Sequence, residues 1–115
     1  MAVEPVTPAA SPALAAQLFS ALGDPTRLCM VARLAKGGAL SIGEMGDGLA
    51  ISRQAVTKHL DILHAAGLVS RRKNGREVHF ALDSQGMDAA RDWLEQASAQ
   101  WDRTLARFKA LVEER

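Results

Sequence analysis

A single cysteine, Cys29, stands among the 115 residues, so no disulfide can form within one chain, which argues against a disulfide-stapled extracellular scaffold. No apolar run is long enough to cross a bilayer, and no membrane partner is expected. The opening residues, Met1 to Pro12, are rich in Ala and Pro but lack the basic start and apolar core of a signal peptide. A disordered tail over residues 1–11 and a cytoplasmic location are expected. Excess charge is also missing: 14 Lys and Arg face 13 Asp and Glu, a net of +1. Affinity for a polyanion therefore has to come from local clustering. His59, His64, His79 and scattered carboxylates form no nucleophile-base arrangement, and no glycine-rich phosphate loop is present, so neither enzyme chemistry nor a cofactor is expected. No internal repeat is visible.

What remains is a chain of one domain, 48% hydrophobic, with room for a modest core. Pro12 to about Leu22 places Leu14, Leu18, Phe19 and Leu22 on one helical face, and Gly23 ends it. Asp24-Pro25 restarts the chain, Asp as N-cap and Pro at the first helical position, where its missing N–H costs nothing. The helix that follows, roughly Thr26 to Lys36, carries Leu28, Met30, Val31 and Leu34 nearly all round and is expected in the middle of the core, with Cys29 as a small core hydrophobe.

From Ser41 to Leu82 the order of signals is more specific. Ser41-Ile42-Gly43-Glu44 is a capping box, in which hydroxyl and carboxylate satisfy the free N–H groups of a helix start. Gly46 and Gly48 would each cost about 1 kcal/mol within a helix, so this helix should be short or frayed. Ser52 is the next N-cap. The helix it opens runs to about Ala66, with Gly67 as its left-handed stop. Its apolar face is Val56, Leu60 and Leu63, thickened by Ala55, Ile62 and Ala66. Gln54, Thr57, Lys58 and Asp61 share another face at spacings of three and four, with Arg53 beside them. Gln suits adenine, Arg and Lys reach guanine, and Thr touches a base or a phosphate. Leu68 and Val69 then open an extended segment, and Asn74-Gly75 suggests a tight type I′ hairpin turn. On the return strand Val78, Phe80 and Leu82 alternate with Glu77, His79 and Ala81. Arg71, Arg72, Lys73 and Arg76 surround the tip without an aromatic, which suits phosphate or minor-groove contact.

Two capped helices followed by a basic hairpin describe a winged helix-turn-helix, a mainly α fold with a small β-hairpin wing, here over residues 12–83. Ser52, Arg53, Gln54, Thr57 and Lys58 are the candidate contacts of its recognition helix, and Arg71, Arg72, Lys73 and Arg76 those of its wing. The partner this implies is double-stranded DNA.

Residues 84–115 answer a different question. Met87, Leu94, Trp101 and Phe108 recur every seven residues, and Ala90, Ala97, Thr104 and Leu111 fill the fourth place of each heptad. That is a coiled-coil-like seam, widened by Leu105 and Val112, with Trp93 off the strict line. A helix of roughly 28 residues extends about 40 Å, more than a small domain can bury on itself. The expected partner is the same helix of a second copy, through Met87, Leu94, Ala97, Trp101, Phe108 and Leu111. Two recognition helices would then face an inverted-repeat operator.

Three stretches, Ala21-Leu22-Gly23-Asp24-Pro25-Thr26-Arg27-Leu28, Ser52-Arg53-Gln54-Ala55-Val56-Thr57-Lys58-His59-Leu60 and Leu63-His64-Ala65-Ala66-Gly67-Leu68-Val69-Ser70-Arg71-Arg72, resemble the ArsR-type (ArsR/SmtB) transcriptional repressors in sequence and order. The resemblance covers nearly everything after the tail. It implies a homodimeric winged-helix repressor that occupies its own or a neighbouring promoter and is released by a signal. Metal-sensing members of that family carry Cys-x-Cys in the first helix of the motif, or Asp and His ligands along the C-terminal helix. Here the first place reads Glu44-Met45-Gly46-Asp47-Gly48-Leu49, and the C-terminal helix contains no histidine. A soft metal needs imidazole or thiolate ligands, so the chain resembles the non-metal-sensing branch and no metal site is expected.

Blander readings stand beside these. His59 is expected to be a packed, hydrogen-bonded histidine, and His64 and His79 surface or strand-edge residues. Cations on an edge hairpin can serve solubility alone, and the heptad seam can be an intrachain packing face. A winged helix used as a protein-interaction module would keep the fold without specific DNA binding. A small-molecule inducer seated between the Trp-bearing helices is compatible with residues that core packing also explains.

Overall fold

The computed structural model of the chain describes residues 12–113; the expected tail over residues 1–11 lies outside them. Along the chain run α1 (Pro12–Leu22), α2 (Pro25–Gly37), β1 (Leu40–Ser41), α3 (Ile42–Gly46), α4 (Arg53–Ala65), β2 (Val69–Asn74), β3 (Glu77–Leu82) and α5 (Ser84–Glu113). The strands form one antiparallel sheet in the order β1-β3-β2. This is the winged helix-turn-helix that the sequence suggests, with α3 and α4 as its helix pair and β2-β3 as its wing.

Local chemistry explains the helix ends. The Asp24 carboxylate accepts the Arg27 N–H at 3.0 Å and caps α2. Ser41 and Glu44 close the capping box of α3 in both directions, at 3.1 and 2.9 Å. Ser52 accepts the Ala55 N–H at 3.1 Å and starts α4. Gly67, at φ +80°, takes the left-handed position after α4. Asp83 accepts from the N–H groups of Gln85 and Gly86 and opens α5. As expected, α3 is short, ending at Gly46.

The core is built from Leu18 and Ala21 of α1, Met30 and Leu34 of α2, Met45, the α4 row Val56, Leu60 and Leu63, then Leu68, Val69, Phe80 and Ala90. Phe80 is buried on β3, with Val78 and Leu82 partly buried beside it, so the alternation of that strand faces the way its pattern indicates.

Four expectations are corrected. First, α2 is not wrapped by core. Only Met30 and Leu34 are buried, Leu28 is 51% exposed and Cys29 is exposed, because α1, α4 and β3 all pack on one side of the helix. Second, the hairpin turn is not an Asn-Gly type I′. Asn74 pairs with Glu77 within the ladder, which leaves Gly75 and Arg76 as central residues. Gly75 has φ +65° and, among the described residues, no non-glycine has positive φ, the pattern of a II′ turn with glycine first. Third, His79 lies on the central strand and not at an edge, because Leu40-Ser41 adds a strand beside it, Ser41 opposite His79. Fourth, Leu14, placed on the inner face of α1, is 40% exposed, and Ala15, Leu18 and Ala21 take that face.

The first turns of α5 lie on the domain: Ala90 is buried, Met87 packs against the core, and the rings of Trp93 and Phe19 stand 5.3 Å apart. Past Leu94 the helix leaves the body, giving the molecule extents of 66 × 34 × 22 Å. Among the described residues no helix is long and apolar enough to cross a membrane.

Candidate nucleic-acid interface

The exposed face of α4 is held by what lies behind it. Val56, Leu60 and Leu63, each at 1% exposure or less, anchor the helix in the core. The side chains at the intervening positions therefore point outward. Arg53, Gln54, Thr57, Lys58 and Asp61 line one surface depression, with Thr57 half-buried and the others exposed. Ser52 lies at its start and spends its hydroxyl as the N-cap acceptor. The Thr57 hydroxyl donates to the Arg53 carbonyl at 3.1 Å, which leaves its methyl group and its acceptor capacity for a ligand.

Gly46 allows α3 to sit close to α4: a Cβ on it would come within 3.2 Å of Val56 Cγ2. Arg33 of α2 donates to the carbonyls of Met45 and Asp47, tying down the last turn of α3 and the loop beyond it. Across the molecule, the Arg27 guanidinium donates to the Ala21 carbonyl at the end of α1 and reaches His59 Nδ1 on α4 at 3.1 Å. The stretch from Ala21 to Leu28 thus joins three helices, and His59 is packed and hydrogen-bonded. Hydrogen bonds to the backbone and to Ser41 hold the Glu44 carboxyl below its ordinary pKa; the Arg27 N–H does the same for Asp24.

The wing cations are all exposed, but they do not point one way. Arg71 stands opposite Phe80 and Lys73 opposite Val78, so both lie on the core side of the sheet. Arg72 stands opposite His79 on the other face, and Arg76 is in the turn. Arg71 Nη1 lies 3.4 Å from Asp61 Oδ1, a contact that joins the wing to the outer face of α4. His79 pairs with Glu77 at 3.3 Å.

The two groups of cations are legible in the sequence, but the roles of Arg27 and Arg33 are not, because they reach partners far along the chain. Nor is Gly86, where a Cβ would stand 1.8 Å from the Gly67 carbonyl oxygen. No pattern of neighbours marks that crossing. Among the described residues no group of three or more His, Cys, Asp or Glu side chains is placed to hold a metal ion.

The seam residues past the body are open: Leu94 is 53% exposed, Trp101 60%, Phe108 64% and Leu111 66%, while Ala97 is half-buried. Met87, expected in the same seam, lies instead against its own domain.

Residues 22–72 match the model of a helix-turn-helix domain family. The chain is 38% identical over 95 residues to the HTH-type transcriptional regulator Rv2034 of Mycobacterium tuberculosis, covering 83% of this chain and 85% of that protein. Its structure resembles an ArsR-like transcriptional regulator from Rhodococcus sp. RHA1, with TM-score 0.74, 36% identity, and coverage of 86% and 92% of the two chains. It also resembles the homodimeric winged helix-turn-helix DNA-binding domain Mb0332 of Mycobacterium bovis, with TM-score 0.63, 26% identity, and coverage of 87% and 91%. With this extent of sequence and fold in common, the chain belongs to the ArsR family of winged helix-turn-helix transcriptional regulators.

Proposed function

We propose that the protein is a homodimeric repressor that binds an inverted-repeat operator at its own or a neighbouring promoter. The observation that carries this reading is the contact between Arg71 and Asp61, which makes the outer face of α4 and the wing one surface. Residues 12–83 form the DNA-binding unit. Arg53, Gln54, Thr57 and Lys58 read base edges and adjoining phosphates from the major groove, and Ser52 sets the start of their helix. The wing meets the flanking backbone through Arg72, Lys73 and Arg76, with Arg71 at its junction with α4.

Residues 84–115 supply the dimer contact, through Leu94, Ala97, Trp101, Phe108 and Leu111, with Met87 at the root of the helix where it meets the domain. Apolar side chains that are half or more exposed along one line of a helix need a partner surface, and a two-fold copy of the same line provides it. Any inducer would be other than a soft metal, because α3 and α5 carry no cysteine or histidine.

The test is to incubate the purified protein with sheared genomic DNA from its source, recover the bound fragments and sequence them. A few sharp peaks with two-fold sequence symmetry, one beside its own gene, are expected. No recovery at low salt would overturn the reading in favour of a protein-interaction module.

A further inference from the structure

Arg71 differs from the other wing cations. Its register with buried Phe80 sends its side chain off the sheet on the core side, toward α4. There its guanidinium meets Asp61, the carboxylate among the five residues that line the depression on α4. Arg72, Lys73 and Arg76 have no ion-pair partner among the described residues. A carboxylate on a surface that approaches phosphates is repelled unless a cation offsets it. An arginine whose charge is already balanced within the protein displaces fewer counterions from a duplex than a free one does.

We infer that Asp61 withholds Arg71 from the phosphate backbone. The pair is a charge-neutral latch between the recognition helix and the wing, and the wing grips DNA with Arg72, Lys73 and Arg76. Asp61 is thus a positioning residue that sets the strength of the sequence-independent part of binding. The inference rests on the DNA-binding reading above. Both side chains are about half exposed, 47% for Arg71 and 54% for Asp61, so either can be replaced without opening the core.

The experiment is the salt dependence of binding to a fluorescein-labelled duplex of arbitrary sequence, followed by anisotropy. Arg72→Ala should lower the slope of log K against log salt by about 0.9, the value for one lost phosphate contact. Arg71→Ala, which leaves the Asp61 carboxylate without its counter-charge, should weaken binding. Asp61→Asn should tighten binding and raise the slope by about 0.9, so that a fourfold rise in salt costs it about 3.5-fold more affinity than the wild type. Adding Arg71→Ala to Asp61→Asn should return the slope to the wild-type value.

An unchanged slope in Asp61→Asn, or a double variant whose slope falls below the wild-type value, would overturn the latch while leaving DNA binding intact. A wild-type protein with no salt-dependent affinity for duplex DNA would overturn the underlying reading, and the latch with it.

Discussion

Gly86 and Gly67 meet where the start of α5 crosses the loop after α4. A methyl group at Gly86 would stand 1.8 Å from the Gly67 carbonyl oxygen, and backbone cannot swing aside as a side-chain tip can. Gly86→Ala should cost about 1–3 kcal/mol, read as a lower urea midpoint at unchanged m-value. An unchanged midpoint would show that α5 shifts freely against the body.

Asp24 and Glu44 give a second outcome at this scale. Both carboxyls titrate below their ordinary values because they accept backbone N–H groups at helix starts, from Arg27 and Ser41 respectively. Their contribution to stability is therefore present above the unfolded-state pKa and is lost as the pH falls through the lower folded value. The thermal midpoint should drop on acidification below the ordinary carboxylate range. Asp24→Asn, which keeps a capping oxygen without the titration, should drop less; an equal drop would assign the acid sensitivity elsewhere.

Among the elements, α4 is the one on which sequence preference is proposed to depend. Gln54→Ala should relax preference by about 1–3 kcal/mol at one base pair, measured by selecting from randomised duplexes. An unchanged profile would mean that the helix enters the groove with a different face forward. This helix was legible in the chain because its signals lie within a few residues of one another: Ser52 as cap, Val56-Leu60-Leu63 as inner row, Gly67 as stop. The wing was legible as a hairpin but not in detail. Asn74-Gly75 suggested one turn, and the ladder places Gly75-Arg76 at the tip, because register follows from burying Phe80 and Val69 together. β1 was not legible at all, being only Leu40 and Ser41. Two residues carry no alternation and become a strand only when β3 lies alongside.

For the whole molecule, the issue is what covers α5. The apolar row from Leu94 to Val112 is exposed on one chain, and the proposed dimer buries it. Trp101→Glu would place a charge in that seam and should halve the mass measured by light scattering, with the helical signal of the domain retained. A dimer of full mass would locate the interface on another face.

The sequence by itself determined the helices, the caps at Asp24, Ser41, Ser52 and Gly67 and the presence of the hairpin, since these rest on contacts between residues a few positions apart. It determined the length of the last helix and the spacing of its apolar row as well. Only the tertiary structure decided which side of α2 is covered, leaving Leu28 and Cys29 outside. It also decided that Arg27 and Arg33 bind helices together, and that Arg71 belongs as much to α4 as to the wing. These outcomes depend on which surfaces meet, and a side chain's distant neighbours are chosen by packing rather than by position along the chain.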